Sequence, residues 1–104
     1  MQIINLAKHT ACILDGSTLK LTGTVNANSI GKILQKKNKK ILLETITNVD
    51  CHAIKQADSS CLALFVYIQS QHQEVVFINL PEQLIVLAKL YDLDGILNLN
   101  TVAV

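Results

Sequence analysis

Residues Asp58, Ser59, Ser60 and Cys61 place a carboxylate, two hydroxyls and a thiol in consecutive positions, directly before the apolar run 62–68. Side-chain oxygens at the start of a helix accept hydrogen bonds from its free backbone N–H groups. Those N–H groups and the helix dipole also favour negative charge, an added phosphate included. The pattern therefore admits a helix cap, a catalytic nucleophile or a regulatory hydroxyl. Catalysis by Ser59 or Ser60 would need an adjacent base, oriented by a third group. His52 is the nearest histidine along the chain, and Asp50 or Asp58 could complete a set. Yet neither serine lies in a Gly-x-Ser-x-Gly elbow, and no glycine follows either one to form a tight oxyanion turn. No catalytic residue is assigned, and the expected roles are cap and regulatory site.

The remaining reactive side chains are dispersed. Cys51 and His52 are neighbours in an extended segment, so they point to opposite faces and form no thiolate–imidazole pair. Cys12, Cys51 and Cys61 are odd in number and lack CxxC spacing, which argues against a disulfide scaffold and a zinc site. They read as buried free thiols of a reducing compartment, placing the chain in the cytoplasm. His9 and His72 stand among polar residues, as surface groups do. Asp50 and Asp58 are both expected at strand-to-loop junctions on one end of a sheet. Paired acids can divide acid and base roles, but here each is better suited to accept loop N–H groups, which makes Asp50 a loop-supporting residue. Gly16, Gly23, Gly31 and Gly95 are scattered, so no phosphate loop exists and no cofactor or metal is assigned.

The elements that must position these residues follow from patterning. With 50% hydrophobic and 16% charged residues over 104 positions, composition argues against disorder and one domain spanning 1–104 is expected. No apolar run reaches the roughly 18 residues of a membrane span, and the amino terminus does not read as a signal peptide. Short strands are expected around Ile3–Leu6, 11–14 and 18–22, with Asp15-Gly16-Ser17 as a turn. Leu19 and Leu21 alternate with Thr18, Lys20 and Thr22, which suits a hairpin at a sheet edge, closed by Gly23. A helix capped by Asn28 or Ser29 follows, with Ile30, Ile33 and Leu34 on its apolar side. Ile41-Leu42-Leu43 either finishes that helix or forms a separate element.

A strand is expected over 45–51, a loop over 52–58, and a helix from about Ser60 to Ser70. The apolar stretch 74–78 reads as a mid-sheet strand with parallel neighbours. Pro81 opens a further helix with Leu84, Leu87, Ala88 and Tyr91 as its stripe. Asp94-Gly95 stops it, and a last short strand is possible over 96–99. This order predicts an α/β fold with a four- or five-stranded, mostly parallel sheet, an antiparallel start, and helices packed mainly on one face.

Charge adds one feature. Lys32, Lys36, Lys37, Lys39 and Lys40 cluster, while the net charge is only +1 and the chain has no arginine. Nucleic-acid recognition leans on arginine forks and aromatic stacking, so no nucleic-acid partner is expected. A solvated face, or contact with a partner or acidic lipid, fits better.

Val49-Asp50-Cys51, the connection after it, and Asp58-Ser59-Ser60-Cys61-Leu62-Ala63-Leu64 together resemble the central signature of the STAS family. The run Leu87-Ala88-Lys89-Leu90-Tyr91-Asp92-Leu93 is similar to one near the carboxyl end of its MlaB-like branch, and the resemblance covers residues 10–97. It implies a sheet with helices largely on one side and no catalysis. In the anti-sigma factor antagonists of this family, the hydroxyl after the signature aspartate is phosphorylated by a kinase-like partner. Ser59 holds that position and is the candidate phosphoacceptor. MlaB-like members instead bind the ATPase subunit of an ABC-type phospholipid transporter, in complex with a membrane permease, at the cytoplasmic side of the inner membrane. The resemblance thus implies a partner-binding or regulatory set of Asp58, Ser59, Ser60, Cys61 and Leu62. Ser60 and Cys61 stand where the family usually carries glycines, and their Cβ atoms limit close backbone approach.

Overall fold

Alternating burial defines the opening strands. The computed structural model describes residues 1–100, so the last four positions of the expected domain lie outside the described residues. β1 (Gln2–Ala7), β2 (Thr10–Asp15) and β3 (Thr18–Val25) form an antiparallel meander. Along β3, Leu19, Leu21, Gly23 and Val25 are buried, whereas Thr18, Lys20, Thr22 and Thr24 remain partly open on the other face. Gly23 does not close this strand. It adopts φ +81° inside it, where the register with the next strand shifts and the His9 carbonyl oxygen would lie 2.1 Å from any added Cβ. The glycine kinks β3 and admits a neighbouring backbone, and pairing then continues to Val25.

β4 (Asn48–Ala57) is longer than its sequence pattern suggests: most of the expected loop 52–58 is strand. It pairs in parallel with β3, but Lys20 opposes Asp50 while Thr22 opposes Ala53, and a second shift falls between Gly23 and Thr24. These irregularities break the period of two, so buried positions fall at Val49, Cys51, Ile54 and Ala57. β5 (Val76–Ile78) pairs in parallel with β4.

The strand order is β1-β2-β3-β4-β5, with only β2 running against the other strands. The α/β class and the mostly parallel sheet with an antiparallel start are therefore as expected. Two placements differ. β3 is the central strand, and β5 lies outermost among the strands. The apolar character of β5 has another origin: Val75 and Phe77 are buried inward, and the chain end covers its outer side. There the Phe77 N–H donates to the Asn98 carbonyl (2.9 Å), and the Asn100 N–H donates to the Phe77 carbonyl (2.9 Å). This strand-like bridge through Leu99 is where the final short strand was anticipated.

The helices bury against one sheet face. α1 (Ala27–Ile33) is capped by Asn26, two or three residues earlier in the chain than the predicted caps Asn28 and Ser29. Asn26 accepts from the Ser29 N–H (3.0 Å), and the Ser29 hydroxyl accepts from the Asn26 N–H (2.8 Å), a reciprocal capping box. α1 ends before most of the lysines. α2 (Lys36–Lys39) and a 3-10 turn (Lys40–Leu43) follow as separate elements. A single helix would stack Lys32, Lys36 and Lys40 at destabilising i, i+4 spacing. The break also lets Ile41 and Leu42 reach the core, where each is 1% exposed.

α3 (Ser59–Gln71) buries Cys61, Leu62, Leu64, Phe65 and Ile68, and the Phe65 ring stacks on Phe77 with centroids 4.4 Å apart. Such stacking adds about 0.5–1.5 kcal/mol beyond the burial itself. α4 (Glu82–Leu90) follows Pro81, which caps it, and buries Leu84 and Ala88. It stops before Asp94-Gly95. Asp92 takes φ +56°, and the Leu93 N–H donates back to the Ala88 carbonyl (2.8 Å), which closes the last turn. Among the described residues, no helix is long and apolar enough to cross a membrane.

Candidate docking site

β4 delivers the chain from buried Ala57 into Asp58, whose extended backbone (φ −115°, ψ −173°) places its side chain over the start of α3. The Asp58 carboxylate accepts the Ser60 N–H (3.0 Å) and the Ser60 hydroxyl on the same oxygen. The cap is thus the aspartate, not either serine. A short carboxylate reaches the N–H two residues on more readily than a hydroxyl already inside the first turn does. With Ser60 committed to Asp58, Ser59 is left as the exposed first residue of the helix, and its hydroxyl has no hydrogen-bond partner among the described residues.

Beside Ser59 lies a shallow depression of about 310 Å³, lined by Ser59, Leu62, Ala63, Tyr91 and Leu93. The spacing of Ser59, Leu62, Ala63 and Val66 is i, i+3, i+4 and i+7, so they share one side of α3. Val66 is 41% exposed, and Tyr91, just past α4, is 53% exposed. Tyr91 was expected in the core stripe of α4. The helix ends one residue earlier, so the ring turns outward and meets the start of α3. Leu93 is brought there by the same tight ending. Neither joins the serines in sequence-based reasoning, and the only sequence signal was their membership of the run 87–93.

The other predicted site residues separate. Cys61 is fully buried (0% exposed) and turns into the core, so it offers nothing to a partner. Burial, and then the Asp58 charge, push its thiol up to about 12. Burial alone takes Cys12 to about 12, and Cys51 is raised by burial, then by Cys61 and Asp50. All are buried free thiols, protonated near neutrality and unsuited to nucleophilic attack.

Asp50 lies within β4 rather than at a junction beside Asp58. Burial pushes its carboxyl up, but the His52 N–H (3.1 Å), the Asn79 amide (3.1 Å) and the His52 ring together hold it below the usual range. It does support a loop, the one that follows β5, where Asn79 takes φ +56°. His52 is exposed with its Nδ1 3.1 Å from Asp50. The strand steps from His52 to Ala57 alone cover roughly 16 Å, so this pair does not reach Ser59. Among the described residues, no group of three His, Cys, Asp or Glu side chains is placed to hold a metal ion.

The surface can therefore receive a small apolar knob and offer one free hydroxyl; among the described residues the depression is lined by no histidine or thiol, and the adjacent Asp58 carboxylate is held by Ser60. No protein-family model matches the chain, and no curated protein matches it.

Proposed function

We propose that this chain is a non-enzymatic docking module: a cytoplasmic accessory subunit that binds and supports the ATPase subunit of an ABC-type phospholipid transporter maintaining outer-membrane lipid asymmetry. On this reading the ATPase, joined to its membrane permease, holds the chain at the inner membrane. The observation that carries the docking role is the free, outward Ser59 hydroxyl at the rim of an apolar depression. A hydrophobic side chain of the partner would fill the space between Leu62, Ala63, Tyr91 and Leu93, and Ser59 would supply a directional hydrogen bond. The choice of partner rests on the resemblance of the runs 49–64 and 87–93 to the MlaB-like branch.

The exposure of Ser59 also favours a second reading, an anti-sigma factor antagonist or similar phosphorylation-switched module. A phosphate there would add roughly 1.5–2 negative charges. It would meet the positive end of the α3 dipole favourably and the Asp58 carboxylate unfavourably, while the Ser60 and Cys61 N–H groups already donate to Asp58.

Co-purification from the native host tests the two readings. Recovery of an ATPase with a permease supports the first; a stable pair with a histidine-kinase-like protein and no ATPase replaces it with the second. In either complex, Ser59→Glu weakens association at least several-fold, because it places a charge at an apolar contact. Unchanged affinity would remove Ser59 from the interface.

A further inference from the structure

Away from the docking site, the chain carries a strongly polarised surface. Between Asp15 and Glu44 there is no acidic residue, and Lys32, Lys36, Lys37, Lys39 and Lys40 all fall in this interval. Removing the positive charges of these five lysines from the net +1 leaves −4 for the rest of the chain. The lysines are mounted on a fixed protrusion. Ile33, Ile41 and Leu42 pin it to the core, and the Asn38 side-chain amide donates to the Lys32 carbonyl (2.8 Å). Lys32 is partly engaged, donating to the Leu6 carbonyl of β1 (2.7 Å). Lys36, Lys37, Lys39 and Lys40 are exposed, and among the described residues none of them pairs with a carboxylate. Lys39 lies 5.7 Å from the centre of the Tyr67 ring. Two large apolar side chains flank the charges: Leu34 is 39% exposed and Leu43 70% exposed.

We infer that the protrusion formed by residues 34–43 is a peripheral binding surface for an anionic lipid bilayer. Positive charge complements acidic headgroups, and Leu34 and Leu43 supply apolar groups to enter the boundary beneath them. The composition favours lipid over other polyanions. Lysine ammonium groups are strongly hydrated point charges that need no fixed geometry, which suits a fluid headgroup layer. The chain has no arginine for bidentate phosphate or base recognition, and residues 27–43 contain no aromatic residue for stacking.

The position is also compatible with simultaneous docking. The His72 ring lies 2.7 Å from the Leu42 carbonyl, so the protrusion sits at the far end of α3 from Ser59. Along α3, the step from Ser59 to Tyr67, the ring nearest Lys39, already covers roughly 12 Å. The inference does not depend on which protein occupies the Ser59 site.

The test is co-sedimentation of the full chain with vesicles of roughly two parts phosphatidylcholine to one part phosphatidylglycerol, against pure phosphatidylcholine, at about 0.1 M salt. Binding is expected to the anionic vesicles only, and should fall at least tenfold near 0.5 M salt. Replacing Lys36, Lys37, Lys39 and Lys40 together by Gln should weaken it by several hundred-fold, at about fivefold per lysine. Leu43→Ser should weaken it several-fold and leave the salt dependence unchanged. Lys55→Gln with Lys89→Gln, on other surfaces, should change it little. If the quadruple variant fails to fold by circular dichroism, Lys37→Glu gives the same reading. Equal binding to both vesicles, no binding to either, undiminished binding by the lysine variants, or tighter binding to polyglutamate or duplex DNA would each overturn the proposal.

Discussion

Asp58→Ala is the substitution that most directly examines how the candidate site is held. Asp58 accepts both the N–H and the hydroxyl of Ser60, and α3 has no acidic residue in its first turn to replace its charge. Losing the cap costs about 1 kcal/mol, and losing a negative charge at the dipole's positive end costs about 0.5 kcal/mol more. A domain of this size shifts its Tm by roughly 4–8 °C per kcal/mol, so Asp58→Ala should melt roughly 6–12 °C below wild type. Asp58→Asn retains an acceptor oxygen and loses only the charge, for a drop of roughly 2–4 °C. Thermal unfolding followed by circular dichroism gives both values. Hydrogen exchange localises the effect, because the Ser60 amide, which donates to the Asp58 carboxylate, should lose protection in the Ala variant first. An Ala variant as stable as wild type would refute the capping argument. Asn and Ala variants of equal stability would refute its division into acceptor and charge.

Two further substitutions probe the frame. Gly23→Ala forces a Cβ onto the His9 carbonyl, 2.1 Å away, at φ +81°. The left-handed conformation costs about 1–2 kcal/mol and the overpacking about 1–3 kcal/mol more. Urea unfolding should therefore show a loss of about 2–5 kcal/mol, and a midpoint near wild type would contradict the close approach. Asp50 has a folded pKa below its unfolded value, so the unfolded state binds its proton first as pH falls. Its contribution to stability is complete above about pH 4 and disappears as pH drops through the folded value. The stability gap between wild type and Asp50→Asn should be widest near pH 6 and close towards pH 2. A gap independent of pH would mean that the Asn79 and His52 contacts do not act through the charge.

Element order was legible because it depends on local signals. The Asp15-Gly16-Ser17 turn, the alternation along Thr18–Thr22 and the uninterrupted apolar face of α3 each lie within a few residues of chain. The full length of β4 is not legible in the pattern, because two register shifts break the alternation that marks a strand. Its exposed residues His52, Lys55 and Gln56 look like loop in isolation. In the lysine segment the pattern leaves open whether Ile41-Leu42-Leu43 finishes the helix or stands apart, because Ile30, Ile33 and Leu34 fit one helical side with no clear end. Like-charge spacing and the pull of Ile41 and Leu42 into the core divide it.

At the candidate site, the chain itself determined that a carboxylate and two hydroxyls would meet the start of an apolar helix, since those groups are adjacent along the backbone. Folding decided the rest: which oxygen caps, which serine remains free, that Cys61 faces inward, and that Tyr91 and Leu93 complete the depression beside Ser59. It also decided that Asp50 serves the Asn79 loop rather than the Asp58 turn. The cap follows from Asp58 and Ser60 two residues apart, whereas the Tyr91 and Leu93 wall and the Asp50–Asn79 contact depend on where α4 ends and how β4 and β5 register, contacts between residues distant in the chain.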